Sequence, residues 1–208
     1  MDIIYQDEHI IVINKPSGLL SIPGRGPEKI DSVSHRICGM IEDCIPQPSV
    51  HRLDMDTSGL LVLALTAEAH RHLSRQFQDR LTEKHYVALL DGILEEEEGT
   101  ITLPFRLDVE NRPHQIYDEL HGKVGITHWK KIGLEGGLTR VAFHPITGRT
   151  HQLRVHSAHA KGLGIPIADD PLYGKGDAPG KMKLHAQDLV FSHPATGERV
   201  SFTSPPPF

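Results

Sequence analysis

Cysteine is nearly absent from this chain: there are two in 208 residues, Cys38 and Cys44. Six positions apart on a predicted helix, they match neither a secreted disulfide framework nor a zinc-ligand spacing, and both are expected to be reduced. The opening Met1-Asp2-Ile3-Ile4-Tyr5 lacks the basic and apolar regions of a leader peptide. No apolar run approaches the roughly 18 residues a membrane span needs. A cytoplasmic protein that does not enter a membrane is expected. Positive charge is not in excess either, since 22 Lys and Arg against 27 Asp and Glu leave a formal net charge of -5. That is unlike the basic footprint of a generic nucleic-acid binder. The 15 histidines soften the contrast when protonated, so local patches matter more than the total. What is present is ordinary for a soluble globular chain: 38% hydrophobic and 24% charged residues, and a length that buries a core without staples.

One stretch organises the rest: His51-Arg52-Leu53-Asp54-Met55-Asp56-Thr57-Ser58-Gly59 followed by the apolar run Leu60 to Leu65. A run that short, bounded by Gly59 and Thr66, reads as a buried strand. The charged cluster then lies on a loop at the lip of a core strand, where rigid scaffolds present reactive groups. Taken alone, such a cluster is as well read as a solvated turn.

Around it, Ile3 to Tyr5 and His9 to Asn14 read as short strands, the second ending at the turn Lys15-Pro16-Ser17-Gly18. Leu19 to Ile22 extends before the basic loop carrying Arg25 and Lys29. Asp31 is the expected cap of a helix reaching about Cys44, and Thr66 that of a helix from Ala67 to about Arg80. Strands are predicted at Thr82 to Leu90, Ile101 to Leu103, Gln115 to Tyr117, Gly122 to Ile132 and Thr139 to Phe143. Thr150 is the expected cap of a third helix, and Lys183 to Phe191 and Glu198 to Phe202 read as closing strands. No repeat, low-complexity tract or linker interrupts this order. The expectation is a single α+β domain, residues 1–208, built on a mixed, mostly antiparallel sheet flanked by helices.

A second charged cluster, Arg149-Thr150-His151-Gln152-Leu153-Arg154-Val155-His156, stands far downstream. One cluster supplies a carboxylate and the other guanidinium groups. A lone buried carboxylate drifts towards its neutral form, and an arginine partner keeps it ionised and oriented. An anionic carboxylate on a cleft floor is competent as base or nucleophile.

The pair, in this order, resembles the signature of the RluA family of pseudouridine synthases. His51-Arg52-Leu53-Asp54 with Thr57-Ser58-Gly59 matches one motif, Lys84 and Tyr86 a second, and Arg149 to His156 a third. Asn14-Lys15-Pro16-Ser17-Gly18, Asp170-Pro171-Leu172-Tyr173-Gly174 and Leu184-His185-Ala186 match as well, so the resemblance spans essentially the whole chain. It implies a sheet crossed by a central RNA cleft and isomerisation of uridine to pseudouridine in a folded RNA. No cofactor and no metal are implied. It implies that Asp54 is the essential aspartate, Arg154 its ion-pair partner and Tyr86 the aromatic that stacks on the target base. Arg52 would help hold that base out of the helix. His51, Arg149, Lys15, Arg25 and Arg112 are the further expected RNA contacts, the last two within Gly24-Arg25-Gly26 and Asn111-Arg112-Pro113-His114.

Within the family the pattern most resembles compact members that modify both a ribosomal RNA stem-loop and a tRNA anticodon stem-loop. This chain is accordingly expected to lack an N-terminal S4-type RNA-binding domain and to act on structured RNA as a monomer. Two rivals come from other classes. A metal-dependent hydrolase would use His151, His156 and His159 with Asp54, although these histidines lack the i, i+4 pair that helix-borne zinc ligands favour. A non-catalytic RNA-binding module would keep the fold but has no use for Asp54, Tyr86 and Arg154 together.

Overall fold

A computed structural model describes all residues, Met1–Phe208. Its elements run β1 (Asp2–Gln6), β2 (Ile10–Lys15), α1 (Val33–Met40), β3 (Ser58–Ala64), α2 (Ala67–Gln78), β4 (Glu83–Leu90) and β5 (Glu98–Leu107). β6 (Gln115–Tyr117), β7 (Lys123–Glu135), β8 (Leu138–Pro145), α3 (Gln152–Ala158), β9 (Leu184–Ser192) and β10 (Arg199–Thr203) complete the chain. Two compact units are present: Met1–Lys84 with His185–Pro207, and His85–Leu184 with Phe208. The fold is α+β with a mixed, mostly antiparallel sheet.

In the first unit β2 pairs antiparallel with β1 and with β3, in register from Ile10 opposite Ala64 to Lys15 opposite Gly59. β3 meets β9 in parallel at Ser58–His185 and Gly59–Ala186, and β9 runs antiparallel to β10. Both faces of β2 and β3 are covered, which is why they read as unbroken apolar runs. Ile10, Val12, Leu60, Val62 and Ala64 pack with Ala69 and Leu73 of α2 and with Leu189 and Phe191. Ile11, Ile13, Leu61 and Leu63 alternate to the opposite face and are just as buried.

The helix ends depart from expectation in detail. α2 is capped as predicted, with Thr66 Oγ1 accepting the Ala69 N–H at 3.1 Å. α1 is capped by Ser32, not Asp31, because the Asp31 carboxylate forks with Arg36, both bonds 2.7 Å. α1 also stops at Met40, short of Cys44, as Ile41 turns extended. Cys38 and Cys44, expected reduced, are joined as a disulfide across the turn that follows.

The second unit is antiparallel throughout its ladder β4–β8–β7–β5–β6. Its core gathers Leu90, Leu103, Phe105, Trp129, Val141 and Phe143 from the strands with Leu153 and Val155 of α3. α3 is tied to β7 by Gln152, whose Nε2 donates to Ile126 O (3.0 Å) and Thr127 Oγ1 (2.9 Å). Its N-cap is His151 in the left-handed region, φ 56°, rather than Thr150.

Candidate active site

The loop bearing Asp54 is fastened by the segment 15–21 of the same unit. Ser21 Oγ donates to Leu53 O at 2.7 Å and accepts the Leu53 N–H at 3.0 Å. Gly18 N–H donates to Met55 O (2.9 Å), and Ser17 Oγ donates to Asp56 O (2.5 Å). Thr57 N–H closes the turn on Asp54 O at 3.1 Å. Asp54 itself is half-buried between these anchors. These bonds hold the backbone on both sides of Asp54 in place.

Lys15 departs from its expected place among RNA contacts. It is fully buried, and its Nζ donates to the carbonyls of Pro16 (3.0 Å), Leu19 (2.7 Å) and Met55 (2.9 Å). An ammonium has three protons, and these carbonyls take them all. Burial pushes its pKa down to about 8, against the opposing pull of the Asp56 and Asp54 carboxylates. Lys15 therefore sets a positive charge beneath the loop and braces its backbone.

His51 also serves as a brace. Its ring stacks on Phe77 of α2, and Nε2 accepts the Val62 N–H at 3.1 Å. Nδ1 then carries the proton of a neutral ring. Burial, helped by the charge of Lys84, pushes its pKa down to about 3. Arg52, next in the chain, is exposed.

Past the loop, β3 is pinned where it begins. Ser58 Oγ donates to Nδ1 of buried His185 (2.9 Å), whose Nε2–H donates to Ser204 O (3.0 Å). Burial lowers the His185 pKa, which keeps this chain of bonds neutral. Gly59, φ 112°, lies so close to β9 that a Cβ would come within 2.3 Å of Ala186 O. His185 was recognisable in the sequence as part of a motif, but nothing in the spacing revealed its partners.

In the second unit Tyr86 stands half-buried on β4, opposite Phe143 of β8. Arg154, 2% exposed, forks onto Asp170: Nε to Oδ2 at 2.8 Å and Nη2 to Oδ1 at 2.6 Å. Asp170 is buried too, yet its carboxyl is held below the ordinary range because the Arg154 bonds and two backbone N–H groups outweigh desolvation. Asp170 belongs to the sequence motif Asp170-Pro171-Leu172-Tyr173-Gly174, but nothing in that motif points to Arg154 as its partner. Arg149, Arg25 and Arg112 are exposed. The histidines of the metal rival have separate engagements. His151 bonds the Tyr173 hydroxyl, His156 is buried edge-on to Phe105, and His159 stacks on Tyr117. No group of three His, Cys, Asp or Glu is placed to hold a metal ion.

Comparison with known proteins gives this arrangement a family. The family model described as RNA pseudouridylate synthase matches residues 9–159. The chain belongs to the RNA pseudouridylate synthase family. Relatives in that family include a Pasteurella multocida (strain Pm70) protein, dual-specificity RNA pseudouridine synthase RluA. It is 45% identical over 212 residues, which cover 100% of this chain and 94% of the relative. The protein of the same description from Escherichia coli (strain K12) is 45% identical over 210 residues, 99% of this chain and 93% of that one. Among solved pseudouridylate synthases, human RNA pseudouridylate synthase domain containing 1 superposes with a TM-score of 0.77 at 32% identity. That match covers 100% of this chain and 84% of the human one.

Proposed function

We propose that this chain isomerises particular uridines to pseudouridine within a structured stem-loop, in ribosomal RNA, in the tRNA anticodon arm, or in both. The observation that carries the reading is identity of 45% over the full chain with dual-specificity RNA pseudouridine synthases. In keeping with it, Asp54 sits on a loop with little freedom to move.

The chemistry assigns each residue a task. A uracil cannot turn over inside a stack, so the nucleotide must be extruded, at a cost of a few kcal/mol. Tyr86 offers a flat face, and stacking of this kind is worth about 1–3 kcal/mol per base. Arg52 fills the vacated space or grips a phosphate, and Arg25, Arg112 and Arg149 are exposed to do the same. The glycosidic N1–C1′ bond breaks with its electrons leaving on the uracil, Asp54 takes a ribose proton, and the base rotates. C5 then bonds to C1′, its hydrogen leaves as a proton, and N1 and the ribose each regain one. Nothing is gained or lost, so no cofactor is required. Arg154 supplies the positive charge that favours an anionic carboxylate in this scheme.

Mapping pseudouridines in total RNA from cells with and without this gene tests the reading. Loss of modification at stem-loop uridines is expected. An unchanged map, with purified protein inactive on stem-loop RNA, would leave a binding module of the same fold.

No helix is long and apolar enough to cross a membrane. We take structured RNA as the partner and a monomer as the working form.

A further inference from the structure

Tyr173 touches the Arg154 assembly by three routes. Its backbone N–H donates to Oδ1 of Asp170 at 3.1 Å, the carboxylate that grips Arg154. Its ring lies under the guanidinium, with Cζ 5.3 Å from the centroid, a cation–π distance. Its hydroxyl stands 2.8 Å from Nδ1 of His151. His151 begins α3 with φ 56°, a conformation that costs a non-glycine residue roughly 1–2 kcal/mol and persists only when its surroundings impose it.

The remaining contacts lead away from Arg154. The same hydroxyl accepts the Gln115 backbone N–H at 2.8 Å. His114 sets its ring edge-on to Tyr173, 5.7 Å between centroids, and its Nε2 reaches Leu172 O at 3.2 Å. These two residues close a loop whose tip is exposed Arg112. The loop is internally stiff: Asp108 Oδ1 accepts the N–H groups of Glu110 and Asn111, and the His114 N–H donates to Asn111 O. Arg112 is thus linked to Tyr173 through a loop that carries its own hydrogen bonds.

We infer that Tyr173 is a positioning residue coupling the 108–115 loop to the seating of Arg154, so that RNA held by the loop speeds the chemical step as well as binding. This rests on the reading of Arg112 as an RNA contact. A displacement near 1 Å at a reacting group can cost about 100-fold in rate, so a single hydroxyl bond at the foot of α3 is enough to matter.

The test is a double-mutant cycle in the full chain, with Tyr173→Phe and Arg112→Ala. The RNA is the stem-loop in which cellular mapping locates the modified uridine, and Kd and the single-turnover rate are measured separately. Tyr173→Phe should slow the saturated rate roughly 10- to 100-fold while Kd stays near the wild-type value. Arg112→Ala should weaken Kd and slow the rate. The double variant should be little slower than Tyr173→Phe alone, because the hydroxyl is the hydrogen-bonded link from Gln115 of the loop to His151 at the start of α3. A wild-type rate in Tyr173→Phe, or rate losses that multiply in the double variant, would overturn the coupling. So would an Arg112→Ala variant unchanged in both Kd and rate. That last outcome leaves the activity standing wherever Asp54→Asn still abolishes it, so the two failures are distinguishable. If Tyr173→Phe does not fold, His114→Ala loosens the link from the loop side, removing the ring contact and the Leu172 O bond while the Gln115 N–H bond to the hydroxyl stays. It should lose part of the rate at saturation, and a wild-type rate there overturns the inference.

Discussion

The imidazole of His51 lies flat on the ring of Phe77, centroids 4.3 Å apart and planes inclined by 17°, while its Nε2 holds the Val62 N–H. One neutral side chain thus fastens the Asp54 loop to α2 and to β3. His51→Ala removes the stacked ring and strands a backbone donor, so a loss of about 2–4 kcal/mol in denaturant unfolding is expected. RNA affinity tells a scaffold from a phosphate contact. A ring kept neutral releases no counterion, and the salt dependence of binding should keep its slope in the variant. A slope reduced by about one would make position 51 a charged contact.

Gly59 and Gly39 should respond oppositely to alanine. At Gly59, φ 112°, the new methyl would meet Ala186 O at 2.3 Å and Ala186 N at 2.5 Å, both backbone atoms that cannot swing aside. Gly59→Ala should cost more than about 3 kcal/mol, or leave no folded protein, because β3 must part from β9 where it leaves the Asp54 loop. Gly39 lies within α1 with nothing within 4 Å of an added Cβ. Gly39→Ala should raise stability by about 0.5–1 kcal/mol. Thermal or denaturant midpoints of the two variants decide it.

His156 predicts acid sensitivity. It is fully buried beside Phe105, and neither ring nitrogen has a hydrogen-bond partner. Burial pushes its pKa from 6.5 down to about 4. Between those values the unfolded chain holds the extra proton, so stability falls as pH drops from about 6.5 to about 4 and levels off below. His51 and His185, also lowered, act in the same direction. The slope is at most about 1.4 kcal/mol per pH unit for each group. His156→Leu should cost less than about 1 kcal/mol at pH 7, since an orphaned polar ring gives way to an apolar group. It should also flatten the decline between pH 6.5 and 4. An unchanged decline would show that His156 does not contribute to it.

How far the sequence revealed this molecule depended on the range of the interactions. β2, β3 and α2 were legible because their signals are local: unbroken apolar runs, a threonine cap and apolar residues every fourth position. The motifs of the site were legible as words in the chain. The partners inside them were not. Lys15 looked like a surface cation because nothing nearby in sequence shows that the Met55 carbonyl, forty residues on, closes over it. Asp170 lies sixteen residues from Arg154, and Tyr173 fifty-eight from Gln115. Asp31 and Ser32 are both good caps by type, and only the fork between Asp31 and Arg36 decides between them.

The most direct test of the account is pseudouridine formation by Asp54→Asn under single-turnover conditions, on the stem-loop RNA that the wild-type chain modifies. Asparagine keeps the size and much of the hydrogen bonding of the side chain but cannot take a proton at neutral pH or act as an anion. The expected result is no detectable pseudouridine, with the melting temperature and RNA affinity close to wild type. Undiminished turnover in Asp54→Asn would contradict the account and remove this carboxylate from the chemistry.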